Sequence, residues 1–86
     1  MIEKEIEIKI ENGLHARPSA ELIKLMNTFK STVYFNINTK KVNAKSILNL
    51  MGVSIKKNQS ILVIIDGDDE EEALLALEAF LTDEKH

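Results

Sequence analysis

Five consecutive apolar residues, Ile61-Leu62-Val63-Ile64-Ile65, set the tightest limit on how this chain folds. No apolar run among the 86 residues is longer, and a membrane-spanning helix needs roughly 20. A short unbroken apolar segment between polar residues reads as a strand with neighbours on both sides, so it belongs inside a sheet. With Ile61, Val63 and Ile65 turned toward helices, Leu62 and Ile64 turn outward beside Tyr34. There they are expected to be exposed, as scattered surface hydrophobes or as a patch for self-association or a partner.

The rest of the chain supplies the neighbours. Ile6, Ile8 and Ile10 alternate with Glu5, Glu7 and Lys9, the period-2 pattern of a half-buried strand, until Asn12-Gly13 breaks it. Val33, Phe35 and Ile37 predict a second strand, Asn38-Thr39-Lys40 a turn, and Lys41 to Asn43 a short third strand. Leu22, Leu25, Met26 and Phe29 recur at helical intervals, which predicts a helix from Ala16 to Phe29 with one buried stripe. Ser46 is placed to cap a short helix, Ile47 to Met51, that stops at Gly52. A last helix starts at a capping-box-like pair, Asp69 and Glu72, and buries Ala73, Leu74, Leu77 and Leu81. The carboxylates from Asp66 to Glu72 sit at its positive end, where they are favoured. One antiparallel sheet with helices on a single face buries every stripe, so residues 1–86 are expected to form one α+β domain.

Charge divides the chain unevenly. Residues 1–57 hold ten Lys/Arg against five Asp/Glu, net +5; residues 58–86 hold one Lys against nine Asp/Glu, net −8. The first part is either an ordinary solvated surface or a basic patch that steers docking to acidic proteins. Nucleic acid is a poor match, because one tyrosine and three phenylalanines make no stacking cluster and the whole chain is acidic. Without cysteine there is neither a disulfide nor a thiolate metal site, and two histidines as far apart as His15 and His86 make none either. His86, the last residue, reads as a frayed end or tag remnant. The acidic run lacks the spacing of a calcium loop. No basic-then-apolar signal segment opens the chain, so the expectation is a cytoplasmic protein without a membrane span, metal or cofactor.

The chemistry concentrates in Gly13-Leu14-His15-Ala16-Arg17-Pro18. Proline is tolerated in the first turn of a helix, where the backbone N–H groups have no intrahelical partner and form an anion site. Gly13 lets the chain turn sharply before it. Arg17 offers a fork of donors to phosphate oxygens. A histidine placed there is suited to carry a phosphoryl group; the plain reading is a surface or capping histidine with no chemistry.

This hexapeptide resembles the active-site motif of HPr, the histidine-containing phosphocarrier family of the bacterial sugar phosphotransferase system. Val42-Asn43-Ala44-Lys45-Ser46-Ile47-Leu48 resembles the family's regulatory-serine segment, and Asp69 to Leu77 the start of its last helix. Length and element order agree nearly end to end. The resemblance implies an open-faced β-sandwich: a four-stranded antiparallel sheet of order 1-4-2-3 with three helices on one face. It implies that His15 accepts a phosphoryl group on Nδ1 from phospho-enzyme I and passes it to enzyme IIA domains, so the chain is a stoichiometric carrier rather than an enzyme. Arg17 then steadies the phosphate, Ala16 and Arg17 supply backbone N–H groups, and Asn12 orients the imidazole.

In Gram-positive relatives the serine matching Ser46 is phosphorylated by an ATP-dependent HPr kinase/phosphorylase, and the resemblance implies that the product here is a ligand for a catabolite-control repressor. After Ser46 the chain departs from the common pattern: Asn49 stands where many relatives have glycine, and Gly52 falls three residues later. Recognition by the serine kinase is the function this departure touches. The docking face implied for partners is His15 and Arg17 with Leu14, Ile47, Leu48 and Met51, rimmed by Lys24 and Lys45. Two rivals keep the family but change the role: a paralogue that acts chiefly through Ser46 in catabolite repression, and a carrier for the nitrogen-related branch. Regulatory paralogues typically lack the histidine, which is present here.

Overall fold

The structure is a computed structural model that describes residues 1–84; His86 lies outside the described residues. Seven elements follow in chain order: β1 (Ile2–Glu7), α1 (Ala16–Met26), β2 (Thr32–Ile37), β3 (Lys40–Asn43), α2 (Ile47–Met51), β4 (Ser60–Asp66) and α3 (Glu70–Leu81). The strands form one antiparallel sheet of order β1-β4-β2-β3. The apolar run thus lies in an interior strand, and the sheet order is the one that the resemblance implied.

Register explains why that run is buried. Val63 pairs with Lys4 on one side and Phe35 on the other, and Phe35 pairs with Val42. Val33, Phe35, Val42, Ile61, Val63 and Ile65 all turn inward and are buried, meeting Leu22 and Met26 of α1 and Ala73, Leu77, Phe80 and Leu81 of α3 in one core. Each such side chain removed from water contributes roughly 1.5–3 kcal/mol. Lys4 sits at the edge of this row, and its Nζ reaches Glu78 of α3 at 2.7 Å.

On the outer face, Ile64 lies between Glu3 and Tyr34, and Leu62 between Glu5 and Asn36. Both are half-buried rather than exposed, because cross-strand neighbours cover them. Lys41 adds to this cover, with its Nζ 4.5 Å from the centre of the Tyr34 ring.

Several details differ from the sequence expectation, three of them for a clear local reason. The first strand ends at Glu7, although Ile8 and Ile10 stay fully buried. Beyond Ile8 the backbone leaves the sheet, and Lys9 N–H donates to the carbonyl of Leu81 at the end of α3. Helix α1 stops at Met26 instead of Phe29, where Asn27 and Thr28 turn their side chains back onto the carbonyls of Ile23 and Leu25. The capping box at Asp69 does not form. Asp69 is the cap residue of α3, yet its side chain makes no cap bond. Its carboxylate instead accepts from the N–H of Lys30 at 2.8 Å and from the N–H and hydroxyl of buried Ser31 at 2.9 and 2.5 Å, joining the α1–β2 turn to α3. Leu74 is half-buried, and Phe80 takes a core place that the helical pattern had not assigned.

Candidate functional site

His15 is the N-cap residue of α1, with φ −93° and ψ −170°. Its carbonyl accepts the first helical bond, from Ser19 N–H at 3.0 Å. The N–H groups of Ala16 and Arg17 precede that bond and have no helical acceptor, while Pro18, next in the turn, has no N–H at all. Two donors therefore open beside the exposed imidazole, which makes no hydrogen bond to the described residues. Arg17 is exposed and in no ion pair with them.

The turn that delivers His15 is built by two left-handed residues, Asn12 at φ 65° and Gly13 at φ 73°. Gly13 packs so closely on the next loop that a Cβ would strike the Ile55 carbonyl and come within 2.8 Å of Lys56 Cα. Leu14 N–H donates to that same carbonyl at 2.9 Å. These ties pull Leu14 into the core, where it is 7% exposed. Leu14, expected on the docking face, is thus mostly buried and reaches the surface only where it lines an open cleft beside His15. Asn12 is exposed and its side chain bonds neither His15 nor any other described residue, so the expected orientation of the imidazole is absent in this state.

An open cleft of about 560 Å³ runs from His15 and Asn12 to Leu50, Met51 and the loop from Gly52 to Lys56. It joins the histidine to α2 in one continuous surface. Ile47, Leu48 and Met51 are exposed on that helix, Leu48 to 84%, while Leu50 anchors it in the core. Lys24 is exposed. Lys45 is not a free rim cation: it is half-buried, and its Nζ donates to the carbonyl of Phe29 at 2.8 Å. Lys56 was missed. It carries no motif, and its place beside His15 comes from the tertiary tie through Ile55.

Ser46 caps α2 as the sequence predicts. Its Oγ accepts from Asn49 N–H at 3.3 Å, and the Asn49 side chain adds a second donor at 3.2 Å. Among the described residues no group of three or more His, Cys, Asp or Glu could hold a metal ion, and no helix is long and apolar enough to cross a membrane.

An open-faced sandwich of order 1-4-2-3, with an unpartnered histidine at the start of its first helix, is the arrangement of a small histidine phosphocarrier. Comparison with known proteins agrees. The family model described as "PTS HPr component phosphorylation site" matches residues 2–83. The HPr-like protein Crh of Halalkalibacterium halodurans is 44% identical over 84 residues, covering 98% of this chain and 100% of its own. The phosphocarrier protein HPr of a Buchnera aphidicola subspecies is 35% identical over 83 residues, covering 96% and 98%. The crystal structure of an HPr from Bacillus anthracis superposes with a TM-score of 0.89 at 36% identity, covering 93% of this chain and 95% of its own. The chain belongs to the HPr family of the phosphotransferase system.

Proposed function

We propose that this protein accepts a phosphoryl group on His15 from phospho-enzyme I and passes it to enzyme IIA domains. The observation that carries this reading is the unpartnered, exposed imidazole beside the free N–H groups of Ala16 and Arg17. A ring nitrogen forms its bond to phosphorus as the bond from phosphorus to the donor breaks. In this reading the two N–H groups and the Arg17 guanidinium supply donors to the transferred oxygens. Little else is asked of the protein, since transfer between two histidines depends on alignment and charge stabilisation. Ile47, Leu48, Met51 and the cleft beside His15 form the apolar part of the docking face, and Arg17 and Lys24 its charged part. His15 is modified stoichiometrically, so the chain is a carrier and acts in the cytoplasm with its partners.

Ser46 is the second site in this reading, a target for HPr kinase/phosphorylase and, once modified, a signal to a catabolite-control repressor. The similarity to proteins named Crh, one of them titled a catabolite repression HPr, favours a mainly regulatory role, whereas the presence of His15 favours carriage. Acid treatment separates them. Phosphohistidine is acid-labile and phosphoserine acid-stable, so the carrier reading expects label from phosphoenolpyruvate and enzyme I to be lost in acid. Label acquired only from ATP and stable to acid would reverse the assignment.

A further inference from the structure

Asn49 is the third residue of α2, and its carboxamide folds back onto Ser46. Its Nδ2 donates to Ser46 Oγ at 3.2 Å, beside the Asn49 backbone N–H at 3.3 Å. Its Oδ1 lies 3.5 Å from the backbone N of Asn43, at the end of β3. The carbonyl of Asn43 in turn accepts from Ser46 N–H at 3.1 Å. A hydroxyl oxygen has two acceptor lone pairs, and two donors from one residue converge on this one.

We propose that Asn49 is a specificity-determining residue for Ser46, holding its hydroxyl as an acceptor and slowing its phosphorylation by a serine kinase. The proposal rests on the reading of Ser46 as a phosphorylation site. In that reaction a lone pair of Oγ forms a bond to the γ-phosphorus of ATP as the bond from that phosphorus to the β,γ-bridging oxygen breaks. ADP leaves, and the hydroxyl proton passes to a base of the kinase. The attacking lone pair has to be free and aimed at phosphorus. The backbone N–H of Asn49 is set by the first turn of α2, so the carboxamide is the donor that must swing away. Glycine at this position offers neither that donor nor any side-chain atom over the hydroxyl. Asn49 thereby alters Ser46 without altering His15, which lies at the start of a different helix.

Whole-chain Asn49→Ala and Asn49→Gly variants, given ATP and a purified HPr kinase/phosphorylase, test this. Release of one neutral hydrogen bond predicts a rise of about three- to tenfold in kcat/KM at Ser46 in both. Labelling of His15 by enzyme I and phosphoenolpyruvate should not change. Alanine favours helix where glycine loosens it, so a rise with Asn49→Gly alone would assign the effect to a loosened α2 and overturn the proposal. Equal, measurable rates in all three chains would overturn it while leaving Ser46 as the modification site. Absence of phosphoserine in every chain, with the kinase active on a relative that has glycine at this position, would overturn both readings. A separate readout is magnetic: the Asn49 side-chain amide protons should shift when Ser46→Ala removes their acceptor. No shift would contradict the bond itself.

Discussion

Leu14 N–H donates to the carbonyl of Ile55 at 2.9 Å, so the residue before His15 is fixed by a loop from the other end of α2. Gly13 makes this possible, since its missing Cβ is where that carbonyl sits and its φ of 73° suits glycine. Gly13→Ala is therefore expected to lower stability by about 2 kcal/mol or more in urea unfolding. It should also slow phosphoryl acceptance by misplacing His15. Unfolding midpoints equal to the parent would contradict the close packing.

Asp69 is predicted to make folding pH-dependent. The Ser31 hydroxyl, and then the N–H of Lys30, hold its carboxyl down from 3.8 to about 2. Folding favours the ionised form, so its contribution is complete above 3.8 and is lost as pH falls through about 2. Asp69→Asn should be less stable than the parent at neutral pH, and the gap should close on acidification through that window. A gap that stays constant would show that the charge is not what joins the α1–β2 turn to α3.

Most of the fold was legible because its signals are periodic. The alternation at Val33, Phe35 and Ile37 and the unbroken run at 61–65 both report burial that backbone geometry enforces. The motif at His15 was legible because proline, glycine and arginine each have a local physical meaning there. What stayed hidden depends on partners distant in sequence. Asp69 reads locally as a cap, and only the arrival of Ser31 redirects its carboxylate. Leu14 and Lys45 read as surface residues, but Ile55 and Phe29 hold them down. Asn49 was visible as a departure, though its bond to Ser46 required the side-chain geometry.

Leu48 should matter for docking and little for folding, since it is 84% exposed on α2. Leu48→Asp is expected to change stability by no more than about 0.5 kcal/mol. It should slow transfer from enzyme I at least roughly tenfold, as loss of an apolar contact residue does. Unchanged transfer kinetics would remove α2 from the docking face.

Ser46→Ala deletes a cap acceptor and should cost about 1 kcal/mol. Ser46→Asp keeps an acceptor at the cap, so its stability should stay near that of the parent while its negative charge weakens docking. Thermal unfolding and enzyme I kinetics on the same pair separate the two effects. Equal stability of the alanine variant and the parent would argue against the cap.

The carrier role itself turns on His15, whose ring is exposed and unbonded beside the free N–H groups of α1. The most direct measurement is labelling of the parent and His15→Ala with radioactive phosphoenolpyruvate and enzyme I, with their fold compared by circular dichroism. The parent should gain an acid-labile phosphate at His15, and the folded variant none. Equal labelling of both, or no label on the parent, would contradict it.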